Sequence, residues 1–122
     1  MGVNMIKIKR IYEKPDKSDG YRILVDKLWP RGIKKEKSGV DLWLKDIAPS
    51  DKLRKWFSHR EDRWEIFKQR YMDELKEKIE IVKKIKELEA EKGTITLLFS
   101  ARDIERNNAV VLREFISHLK IK

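Results

Sequence analysis

The chain opens on alternation. Ile6, Lys7, Ile8 and Lys9 place apolar and basic side chains on opposite faces, the period-two mark of a half-exposed, edge-type strand over residues 6–12. Pro15, Asp16, Ser18, Asp19 and Gly20 then supply turn chemistry. Residues 13–20 are fewer than the dozen or so that a helical crossover takes, so the pairing of the first two strands stays open at this level. Residues 21–26 (YRILVD) read as a second strand, apolar on both faces toward its end as a central strand is, and Trp29-Pro30-Arg31-Gly32 stops it.

The period then lengthens. Residues 41–47 fit a short helix ahead of Pro49, and Ser50 has the chemistry to cap another over residues 51–57. Ser58 and Glu61 have capping-box spacing for a third. From Trp64 an apolar stripe runs through Phe67, Tyr71, Leu75, Ile79, Val82, Ile85 and Leu88, with no glycine or proline before Gly93. One straight helix over 61–92 would measure about 48 Å, against an expected radius of gyration of about 14 Å. The stripe is therefore expected to break within residues 76–80. Residues 94–99 (TITLLF) predict a third strand. Residues 100–103 predict a tight connection, with Asp103 as N-cap of a last helix over 104–119.

Strands alternating with helices indicate an α/β fold. The expectation is a small single-domain three-layer architecture over residues 1–122, with a mainly parallel sheet of at least three strands and flanking helices. Residues 1–4 match no element and read as a disordered lead, or as a sign that Met5 is the start.

Composition narrows the chemistry. A chain of 122 residues suits one domain with one core. It contains no cysteine, which excludes disulfides, thiolate metal sites and a cysteine nucleophile; with only two histidines, far apart, no metal site is expected. No apolar run is long enough to span a membrane and no signal-peptide core is visible, so the expected location is the cytoplasm. Scarce Asn, Gln, Cys and Met beside abundant Lys, Glu and Ile match proteins from hot environments and predict a thermostable protein. The net charge of +9 is uneven, with +6 of it in residues 1–40. Such an excess either simply solvates the surface or favours anionic partners.

In open α/β sheets ligands bind beyond the carboxyl ends of the strands. Two such ends carry polar residues: Asp26, Lys27, Trp29, Arg31, Lys34 and Lys35 after one strand, and Ser100, Arg102 and Asp103 after another. Each also has a plainer reading. Asp103 as a mere cap, Trp29 as core and the lysine run as a solvated loop are all the commoner cases, and Arg31 could clamp Asp26 structurally. Asn107 and Asn108 carry a sharper signal. On the predicted last helix Asn108 falls within the stripe of Ile104, Val111, Leu112, Phe115 and Leu119, and an inward amide needs a hydrogen-bond partner. It either fastens the strand-end loop or faces a ligand; on the second alternative Asn108→Leu leaves stability equal or higher. His59, between two predicted helices, is a surface histidine or the best general acid–base of the chain, with Asp26 as the other candidate. Arg54 and Lys55 precede it as possible anion ligands, and His118 reads as structural. No P-loop, dinucleotide fingerprint, nucleophile elbow or triad is present.

The stretches GYRILVDKLWPRGIKKE, WLKDIAPSDKLRKWFSH, RWEIFKQRYMDEL and TITLLFSARDIERNNAVVLREF resemble the YeaO-like branch of an uncharacterised family, domain of unknown function 488. The resemblance spans roughly residues 6–119. It implies polar matches at Arg22, Asp26, Arg31, Ser50, His59, Arg102 and Asn107-Asn108-Ala109, and it too suggests a broken long helix. Arg60-Glu61 depart from the Asp-Pro helix start that relatives often carry. No activity comes with the resemblance.

The resulting expectation is a small anionic ligand, phosphate- or nucleotide-like, held at the strand ends by Arg22, Trp29, Arg31, Ser100, Arg102, Asn107 and Asn108, with Asp26 and His59 as candidate catalytic groups. The alternative is a nucleic-acid-binding or regulatory module built on the basic first third, where Lys27-Leu28-Trp29-Pro30-Arg31 interleaves aromatic and base. Cofactor, oligomeric state, and whether the protein is an enzyme stay unassigned.

Overall fold

The computed structural model describes residues 4–119. Four strands, β1 (Met5–Arg10), β2 (Tyr21–Leu24), β3 (Leu42–Trp43) and β4 (Thr94–Phe99), form one sheet in the order β1-β4-β2-β3, with every pair parallel. The helices are α1 (Lys35–Ser38), α2 (Asp51–Phe57), α3 (Trp64–Lys76), α4 (Ile79–Lys92) and α5 (Asn108–Ser117). Of the chain's first four residues, Asn4 precedes β1 outside any element, and residues 1–3 lie outside the described part.

The parallel α/β class holds, and the strand over 94–99 and the helix over 51–57 lie where the pattern puts them. The long stripe breaks between Lys76 and Ile79, which lets α4 turn back to pack on β4. Three local expectations fail. Residues 41–47 form the short β3 and a 3₁₀ turn at Lys45–Ile47, because pairing with Ile23 and Leu24 outweighs a weak helical pattern. Ser58 caps nothing ahead of α3; it ends α2 in the left-handed region. The last helix begins at Asn108 rather than 104. Asn107 caps it by accepting from the Val110 amide, whereas Asp103 accepts from the Glu105 and Arg106 amides in the preceding turn.

The first two strands do not pair with each other; β4 lies between them. Residues 11–20 make the crossover with no α-helix and only a 3₁₀ turn at Lys17–Asp19, which suffices because even a partly extended ten-residue segment, about 33 Å at full reach, can span a strand of about 17–20 Å. They lie on the sheet face that carries Leu24, Thr96 and Leu98. Gly20, at φ +64°, approaches β4 so closely that a Cβ would lie 2.4 Å from the Thr94 carbonyl oxygen, so no side chain fits there. Beneath this crossover Asp19 (2% exposed) accepts from Lys9 and Arg22, and Arg22 (4% exposed) also donates to the Gly39 and Ser38 carbonyls.

The alternation of β2 and β4 divides the core. Ile23, Val25, Ile95, Leu97 and Phe99 face α2 to α5 with Phe57, Phe67, Tyr71, Val82, Ile85, Val111 and Leu112. Leu24 and Leu98 face the other way, covered by Ile11, Trp29, Ile33 and Val40 from the two connecting segments and by Trp43 of β3. Four helices thus make one outer layer, and loops with the single turn of α1 make the other.

Candidate functional site

The chain leaves β4 toward α5 on the helical face, while the segments after β1 and β2 cross the opposite face. Connections of neighbouring strands therefore part at their carboxyl ends, which opens a crevice there. A cleft of about 770 Å³ occupies it. Leu28, Pro30, Ala48, Pro49, Phe57 and Phe67 give part of its lining an apolar character. Arg10, Lys27, Arg31, Arg54, Arg102 and Arg106 also line it, against a single carboxylate, Asp26.

Asp26 bridges the ends of β2 and β4. Its Oδ2 accepts from the Ser100 amide at 2.9 Å and the Ser100 hydroxyl at 2.7 Å, and its Oδ1 accepts from Asn108 Nδ2 at 3.1 Å. The same Asn108 amide donates to the Val25 carbonyl at 3.1 Å. Arg10 holds the other side of the loop, donating to the Ala101 and Ser100 carbonyls at 2.8 and 3.1 Å. The bend at residues 47–50 is fixed from α3. Tyr71 donates to the Ile47 carbonyl, and Glu74 accepts from the amide and hydroxyl of Ser50. Burial, with the Asp26 and Glu74 carboxylates adding to it, pushes the Tyr71 phenol well above its ordinary value, so it stays a donor.

The cations differ in what they touch. Arg106 pairs with Glu61 at 2.9 Å, and Lys27 and Arg54 both reach Asp51. Arg31 and Arg102, both exposed, have no side-chain ion pair or hydrogen bond among the described residues. His59 also lines the cleft. It follows Ser58 in the left-handed region, at φ 56° and 46°, and two successive non-glycine residues there are uncommon. Its ring lies 6.1 Å from that of Phe57 and makes no hydrogen bond among the described residues.

Asp26, Trp29, Arg31, His59, Ser100, Arg102, Asn107 and Asn108 are thus brought to one cleft. Arg22 is not; it is buried on the second face, and all its contacts are internal. Several members are committed to structure as well. Ser100 gives both its donors to Asp26 rather than to an open position. Asn107 caps α5 and donates to the Asp103 carbonyl. Trp29 donates to the Ile33 carbonyl and meets Trp43 edge-on at 5.4 Å, with Lys35 over both rings.

Ile104 is 64% exposed, so Asn108 belongs to no stripe that includes it. Since the Asn108 amide ties the start of α5 to Val25 and Asp26 at the end of β2, the expectation that leucine there leaves stability equal or higher is reversed. Asn108→Leu strands the Val25 carbonyl and is expected to cost about 1–3 kcal/mol, read in a thermal melt. An unchanged melt would remove this tie. Arg10 and Arg106 escaped the sequence reading. The strand-end rule reaches Arg10 once β1 is known to lie beside β4, and Arg106 was concealed by placing the helix start too early.

Among the described residues there is no cluster of three or more histidine, aspartate or glutamate side chains able to hold a metal. No helix there is long and apolar enough to cross a membrane.

Fold and cleft together define a small all-parallel α/β protein with a cationic crevice at its strand ends. The chain belongs to the DUF488 family: the family model described as "Inactive DUF488-N3 subclade" matches residues 5–120. An uncharacterised YeaO protein of Escherichia coli K12 is 42% identical over 114 residues, covering 93% of this chain and 98% of that protein. Uncharacterised proteins of Mycobacterium bovis and Mycobacterium tuberculosis H37Rv are each 35% identical over 112 residues, covering 92% of this chain and 93% of theirs. No solved structure matches.

Proposed function

We propose that this protein binds a small phosphate-bearing anion in the strand-end cleft, with Arg31 and Arg102 as the pair that grips it. The observation that carries this reading is the contrast within the cleft. Six cations line it, its one carboxylate is held by Ser100 and Asn108, and the two exposed arginines have no anionic partner among the described residues. Guanidinium groups suit phosphate oxygens because their planar donors can engage two at once. The reading is of binding without turnover. Both Asp26 oxygens already accept hydrogen bonds, and the matching subclade is described as inactive. Should the cleft carry out a reaction, His59 is the titratable group there whose ring is unengaged among the described residues.

Calorimetric titration with orthophosphate, nucleotides and sugar phosphates tests this. Binding of at least one is expected, and Arg31→Ala with Arg102→Ala together should weaken it by about tenfold to a hundredfold. No binding by any, or binding indifferent to the double change, would overturn the reading. A gel shift that falls steeply with salt would instead assign the basic first third to nucleic acid.

A further inference from the structure

The cleft contains more positive charge than one phosphoryl group can use, and part of it is held back. Lys27 and Arg54 line the cleft, yet both turn to Asp51, which does not line it: Lys27 Nζ lies 3.1 Å and Arg54 Nη2 2.7 Å from the same Asp51 oxygen. Resting on the anion-binding reading above, we propose that Lys27 and Arg54 form a second cationic subsite, so that the cleft takes a ligand with two phosphoryl groups, and that Asp51 occupies this subsite until the ligand displaces it.

Three observations support the step. The Lys27 and Arg54 side chains are 44% and 33% exposed and that of Asp51 52%, and ion pairs this open to water are weak enough to exchange for a better anion. Arg54 Nε is sealed from water yet has no hydrogen-bond partner, a distinction it holds alone among buried side-chain polar atoms of the described residues. Buried donors are rarely left so, and a guanidinium released from Asp51 can turn Nε toward an acceptor in the cleft. The cleft volume of about 770 Å³ also falls in the range of sites for small organic ligands, where orthophosphate would leave most of the space to water. Leu28, Pro30, Ala48 and Pro49 give part of the lining an apolar surface for the body of such a ligand. The contact is already favourable to Asp51, since Arg54 and then Lys27 hold its carboxyl below the ordinary value.

The probes are orthophosphate, pyrophosphate with its groups linked, and fructose 1,6-bisphosphate with its groups apart, each titrated calorimetrically at one ionic strength. At least one of the two doubly phosphorylated probes should bind about tenfold tighter than orthophosphate, and which one does reports the spacing of the subsites. Arg54→Ala should collapse that ratio to about one. Asp51→Asn should widen it by about two- to tenfold, the scale of two exposed ion pairs. Orthophosphate bound as tightly as both other probes, or Asp51→Asn strengthening all three alike, would overturn the second subsite while leaving the arginine pair standing. Failure of all three to bind would overturn the second subsite, and failure of the nucleotides as well would overturn the arginine pair with it.

Discussion

Arg22→Ala is expected to lower the stability of this protein by about 3–5 kcal/mol, more than any change in the cleft. Arg22 and Asp19 are nearly sealed from water, and the guanidinium meets the carboxylate directly while donating to the Gly39 and Ser38 carbonyls. Removing the cation leaves Asp19 buried with Lys9 as its remaining charged partner and strands two carbonyls at the end of α1. For a chain of this length, whose total stability is on the order of 6–18 kcal/mol, that is a large share. Urea unfolding measures it, and a loss below about 1 kcal/mol would show the pair to be ornamental. Arg22→Lys should recover only part, because an ammonium cannot serve two carbonyls and a carboxylate in one plane.

The same pair sets a pH dependence. Burial acts to raise the Asp19 pKa, but the Asp16 amide, Lys9 and Arg22 outweigh it and hold the carboxyl below its ordinary value. A carboxyl depressed in the folded state contributes fully above its unfolded pKa, about 3.9, and loses that contribution as pH falls through the folded value. Stability should therefore fall on acidification below about pH 4, and less steeply in Arg22→Ala, where one of the depressing partners is gone.

What the sequence shows and hides divides along physical lines. Elements with a strong period were legible. The apolar run of Thr94–Phe99 and the stripe from Trp64 leave little choice of structure, and the expected size of the chain implied the break after Lys76. The strand-end rule likewise pointed to Asp26, Arg31, Ser100 and Arg102 before any topology was known. Partners far apart in the chain were not legible. Arg22 became a candidate through the family resemblance. It shares a face with Asp26 by alternation, but it stands near the start of β2, four residues before Asp26, where residues 11–20 and Ser38–Gly39 cover it instead of the cleft. The start of α5 was misplaced because both Asp103 and Asn107 have cap chemistry, and only packing of Ala109, Val111 and Leu112 decides between them. The insertion of β4 between β1 and β2 depends on an extended crossover, which has no period to betray it.

Asp26→Ala should be the most damaging single change within the cleft, costing about 2–4 kcal/mol and weakening phosphate binding with it. The carboxylate joins three elements: its oxygens receive the Ser100 amide and hydroxyl at the end of β4 and the Asn108 amide at the start of α5, and its own segment continues β2. Alanine strands the half-buried Ser100 amide and one Asn108 contact, and it frees the segments that carry Arg31 and Arg102. If Asp26 acted only as a charge, its removal from a cationic cleft would instead tighten anion binding. Asp26→Asn separates the two effects. Its carbonyl oxygen can still accept from both Ser100 donors, while its amide opposes that of Asn108. It should therefore lose about half as much stability as alanine and, without the negative charge, bind orthophosphate at least as tightly as the unaltered protein. Melts and phosphate titrations on both variants read this directly. Alanine matching asparagine in affinity, with little loss of stability, would mean that Asp26 organises nothing and merely repels.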